Sequence, residues 1–153
     1  MKRSNSSFSK LASSLLLVAA LGTAFAADSP LVGVWQLDAG PAQAGLYMFT
    51  PTHYSMMLAA TDRPDVADAN KATADELRAI WGPLLANAGT YEISGDLITI
   101  HPVAAKFPVV MKNGATEVYR FHVDGKTLTL QQVRNARGVA VAQANILKFI
   151  RVE

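Results

Sequence analysis

The side chains able to do acid–base, nucleophilic or metal chemistry in this chain are few and scattered. Its three histidines, His53, His101 and His122, fall in three separate strand-like segments, with no cysteine to complete a ligand set. None of them shows the His-x-x-x-His spacing of a metal pair, so no metal or cofactor is expected. Ser55 lies outside any Gly-x-Ser-x-Gly frame, and its nearest candidate base is His53, two residues earlier on the same strand face. No third group is placed to orient such a dyad. Glu92 and Glu117 stand isolated in strand-like segments and read as solvated carboxylates. What the chain offers in quantity is aromatic and flexible apolar surface: Tyr47, Phe49, Tyr54, Met56, Leu58, Tyr91, Tyr119, Phe121 and, on a helix, Trp81. Such surface, with the Tyr47, Tyr54 and Tyr119 hydroxyls and the His101 imidazole as polar anchors, suits a small hydrophobic or amphipathic ligand. The alternative of a different class is an isomerase or cyclase acting on a lipid-like or polyketide-like substrate, with His101 or His53 as general base.

These residues need a scaffold, and the sequence specifies one. Segments with two-residue alternation or strong β composition recur at 31–38, 45–50, 53–60, 89–94, 97–104, 115–123, 126–133 and 142–151. Short connections such as "SGD", "DGK" and "NARG" supply Gly, Asn or Asp at tight turns, which predicts antiparallel neighbours. Alternation puts Tyr47 with Phe49, Tyr54 with Met56 and Leu58, and Tyr119 with Phe121 and Val123, each set on one strand face. One segment departs from the pattern. From Thr73, "TADELRAIWGPLLANAG" opens with a capping box, Thr73 and Glu76, and continues with Leu77, Ile80, Trp81, Leu84, Leu85 and Ala88 at helical spacing. This predicts an amphipathic helix after the third strand, kinked or split at Gly82-Pro83 and covering a barrel end or wall. Eight short antiparallel strands hide their edges most economically as a closed up-and-down barrel, all-β apart from that helix. A barrel of eight strands has room for its own side chains or for one small ligand.

The first 26 residues are expected to leave the mature protein. A basic start, "MKRSNSSFSK", precedes the apolar run "LASSLLLVAALGTAFA", whose Ala24-Phe25-Ala26 fits a cleavage site. The uncharged run from Leu11 to Ala26 is shorter than the roughly 20 residues a membrane span needs. A signal peptide over 1–26 and a single barrel domain over 27–153 follow, with a periplasmic or secreted destination and no stable membrane insertion after cleavage. Loss of Lys2, Arg3 and Lys10 reduces the 14 basic side chains to 11, against 12 acidic ones. The mature chain is then nearly neutral and carries no basic run, which argues against nucleic acid as a partner. Without cysteine there are no disulfides, and half of the residues are hydrophobic, so stability rests on an apolar core.

Gly33-Val34-Trp35 in the first strand resembles the opening signature of lipocalins and related calycin barrels. That resemblance implies that Trp35 closes one barrel end and that Arg151, in "ILKFIRVE", stacks across its ring. The order of "LVGVWQL", "GLYMFTPTHYSMMLAATDRP", "TADEL", "AGTYEI", "ITIHPV" and "YRFHVDGKTLTL" is similar to a bacterial and fungal lipocalin-like domain family. It implies a barrel that binds a small lipophilic ligand, with Gly33, Trp35 and Arg151 as its structural closure.

Overall fold

A computed structural model describes residues 29–153; the predicted signal segment lies outside the described residues. Eight strands, β1 (Gly33–Leu37), β2 (Gln43–Phe49), β3 (His53–Ala60), β4 (Leu84–Ser94), β5 (Leu97–Ala105), β6 (Glu117–Asp124), β7 (Thr127–Arg134) and β8 (Ile146–Arg151), pair antiparallel in chain order, and β8 returns to β1 to close the barrel. The alternation read from the sequence becomes its two faces. On β2, Tyr47 and Phe49 are buried while Leu46 and Met48 look outward. On β5, Ile98 and Ile100 are buried between Leu97, Thr99 and His101, which point out. The core comprises Leu31, Trp35, Leu37, Tyr47, Phe49, Tyr54, Met56, Tyr91, Ile98, Ile100, Leu128, Leu130 and Phe149, with Leu58, Tyr119, Phe121, Val123 and Leu147 packed against it. Each large side chain fully withdrawn from water contributes about 1.5–3 kcal/mol.

The two barrel ends are built differently. Turns at 50–52, 95–96 and 125–126 close one end tightly, and the chain ends of β1 and β8 meet there. Trp35 is opposite Arg151 in the register, and the Arg151 guanidinium lies 4.0 Å from the indole centroid. The indole N–H donates to the Leu31 carbonyl at 2.7 Å, and Arg151 donates to the carbonyls of Val32, at 2.7 Å, and Pro30. A flat cation over an aromatic face, with its donors spent on backbone carbonyls, is a dry plug. Gly33 has φ +138°, a region disfavoured for other residues, and a Cβ there would fall on the Glu153 carbonyl and the Arg151 guanidinium. The seal expected from Gly33, Trp35 and Arg151 is therefore present.

The other end carries the longer connections, 61–83, 106–116 and 135–145, and a short 3-10 turn at Gly40–Ala42. Helix α1 (Ala74–Trp81) follows β3 in the first of these connections and begins at the expected capping box. It ends sooner than its periodicity suggested. Gly82 caps it, and Leu84, Leu85 and Ala88 belong to β4, where Leu85 is opposite Leu58 on β3. Proline at 83 stops the helix rather than kinking it, and strand pairing claims the residues beyond. No residue of α1 is buried, so it is not the covering element its apolar spacing suggested. β8 likewise starts at Ile146, not at 142, because the preceding residues extend the β7–β8 loop.

Candidate ligand cavity

Four of the aromatic residues expected to line a pocket, Tyr47, Phe49, Tyr54 and Tyr91, fill the lower half of the barrel instead. Tyr47 stacks on Phe49 with centroids 4.6 Å apart and meets Tyr54 at 5.8 Å and Phe149 edge-on at 5.9 Å. Phe49 meets Tyr91 edge-on at 5.3 Å, and the Tyr91 hydroxyl donates to the Thr50 carbonyl at 2.7 Å. Above this stack, toward the long loops, the interior holds a cavity of about 420 Å³. Its apolar wall comes from Met56, Leu85, Leu130 and Leu147, and its rim from Phe107 and Val110 of the β5–β6 loop and Val141 and Ala144 of the β7–β8 loop.

The polar part of the wall is a hydrogen-bonded set on the neighbouring strands β6 and β7, with Asn87 of β4 standing apart from it. Gln132 on β7 donates through Nε2 to Glu117 Oε1 at 2.8 Å and to the Tyr119 hydroxyl at 3.3 Å. Tyr119 on β6 in turn donates to Glu117 Oε2 at 3.5 Å. Asn87 on β4 lines the same cavity, and its buried Oδ1 has no partner; the buried Tyr54 hydroxyl is also unpartnered. Burial pushes the Glu117 carboxyl above its ordinary range, against the lowering effect of the bonds from Gln132 and Tyr119. Burial likewise raises the phenols of Tyr47, Tyr54 and Tyr119, and the Glu117 charge adds to each. Unpaired buried acceptors cost free energy unless a partner arrives, which makes this wall receptive to a polar head group.

Of the ten residues expected at a binding site, Met56 and Tyr119 line the cavity. Tyr47, Phe49, Tyr54 and Tyr91 are core residues beside it, while Leu58 and Phe121 pack on the inner face. Trp81 is 54% exposed on α1 and is not brought to the cavity. His101 points outward, its Nε2 3.8 Å from Glu92 Oε1. His53 is exposed, within 2.8 Å of the Thr52 hydroxyl through Nδ1, and His122 is exposed on β6. A general base at His101 or His53 facing an enclosed substrate is not formed. Glu117, read as solvated, is half-buried inside the barrel, and its parity with Tyr119 and Phe121 was the available signal. Gln132 is opposite Tyr119 in the register, whereas Asn87 was hidden in the residues read as a helix tail.

The lipocalin-like domain family matches residues 33–151, from the glycine that admits the seal to the arginine that completes it. The chain belongs to that family. Curated proteins gave no match. In this lipocalin-like domain the family span therefore covers every strand of the barrel and all the cavity-lining residues.

Proposed function

We propose that this lipocalin-like domain is an exported, non-catalytic carrier of a small hydrophobic or amphipathic molecule held in the upper barrel. The observation that supports it is an interior cavity of about 420 Å³ whose mostly apolar wall includes a buried, partly unsatisfied polar set. That size lies in the range of small-molecule sites, roughly 300–1,000 Å³, and few convergent polar groups in an apolar wall are their usual make-up. The apolar body of a ligand packs between Met56, Leu130 and Leu147, and its head meets Glu117, Tyr119, Gln132 and Asn87.

Titration with the neutral fluorophore N-phenyl-1-naphthylamine tests this reading: a saturable rise in emission is expected. Replacing Ala105, a small residue on the cavity wall, by Trp fills the space and should weaken that binding about tenfold. Unchanged binding in Ala105→Trp rejects the cavity as the site. Export rests on the basic, apolar and small-residue order ending at Ala26. N-terminal sequencing of protein from the extracytoplasmic fraction is expected to start at Ala27, and an intact Met1 overturns that part.

A further inference from the structure

Resting on the carrier reading, we infer that the cavity selects amphiphiles whose polar head donates hydrogen bonds, a protonated primary amine foremost, and turns away fatty carboxylates. The lining carries one formal charge, on Glu117, and among the described lining residues there is no Lys, Arg or His. The Asn87, Gln132 and Asn145 amides in the lining can both donate and accept, so the Glu117 charge sets the asymmetry. Asn87 Oδ1 has no partner, and Glu117 Oε2 has only the Tyr119 hydroxyl at 3.5 Å, the far limit of a hydrogen bond. Lys106, which follows β5, lies outside the lining: its ammonium sits 4.7 Å from the ring of the rim residue Phe107 and donates to the carbonyls of Trp81, Gly82 at 3.0 Å and Leu84 at 2.8 Å, which engage its donors.

The energetic direction follows from this asymmetry. A carboxylate head brought between Glu117 on one side and Asn87 on the other meets the Glu117 carboxylate, and no cation in the described lining offsets that repulsion. An ammonium finds acceptors on both sides, and charge-assisted hydrogen bonds are about twice as strong as neutral ones. An alcohol head, which donates without charge, falls between. Gln132 and Tyr119 hold the Glu117 carboxyl in place, which limits the ordering needed on binding.

Displacement of N-phenyl-1-naphthylamine by decylamine, decanol and decanoate, at neutral pH and low salt, tests the inference with chains of equal length. Decylamine is expected to displace at about tenfold lower concentration than decanoate, with decanol between. In Glu117→Gln the amine-to-carboxylate ratio should collapse toward one. Asn87→Asp, which adds a second carboxyl to the wall, should widen it and serves where Glu117→Gln does not fold. Decanoate equal to or better than decylamine overturns the inference, as does a ratio unmoved in either folded variant. A fluorophore that binds but yields to none of the three probes overturns the head-group selection alone. A fluorophore that does not bind removes the carrier reading, and this inference with it.

Discussion

Arg151 holds the barrel base through three contacts at once, the Trp35 ring and the carbonyls of Val32 and Pro30. Lysine keeps the charge but lacks the planar fork, so it can cover the indole or reach a carbonyl and not do both. Arg151→Lys should therefore cost about 1–2 kcal/mol, measured by urea unfolding, with an equal loss in m-value ruled out by an unchanged slope. This pair was legible through the resemblance of Gly33-Val34-Trp35 and the terminal Arg151 to the closing residues of lipocalin barrels. Glu117 was not, for a physical reason. Parity put it on the face of Tyr119 and Phe121, but an isolated acid in a strand is ordinarily solvated, and the shorter of its two hydrogen bonds, which makes its burial tolerable, comes from Gln132 on another strand. Long-range pairing of that kind has no local signature.

At the level of elements, α1 shows how a start can be read more securely than a stop. Thr73 and Glu76 cap the helix reciprocally: the Thr73 backbone N–H donates to Glu76 Oε2 at 2.7 Å, and the Glu76 N–H to the Thr73 hydroxyl at 3.3 Å. That backbone donor also holds the Glu76 carboxyl below its ordinary value. Thr73→Ala should loosen the helix by about 1 kcal/mol, seen as faster amide exchange across Ala74–Trp81. Since no α1 side chain is buried, the barrel's melting temperature should hold. The stop was misread because Leu84, Leu85 and Ala88 suit a helical face as well as a strand. What decides between them is β3, whose Leu58 and Ser55 pair with Leu85 and Ala88 in the register. All eight strands were found, and the largest errors, at the starts of β4 and β8, lie at the edges of the long loops, where turn chemistry is spread over several residues.

Taken whole, the described residues form a barrel half filled by its own rings and half open, with the Glu117 carboxyl facing inward near the boundary. Because burial raises the folded-state value of Glu117 above the ordinary 4.5, the folded form binds the proton more tightly than the unfolded chain does. Its contribution to stability is thus full below that ordinary value and is lost as pH rises through the folded one. The groups facing it, the phenols of Tyr47, Tyr54 and Tyr119, are themselves raised and stay neutral across this window. Melting curves from pH 4 to 8 should show wild type losing ground to Glu117→Gln as pH increases; a wild type that gains instead contradicts the assignment. Closure of β8 onto β1 has a consequence for biogenesis. While a ribosome has delivered the chain only as far as β7, two strand edges have no mates and Trp35 has no lid. The nascent polypeptide consequently has no finished tertiary state to fall into, and its sheet becomes a cylinder only after the eighth strand has emerged.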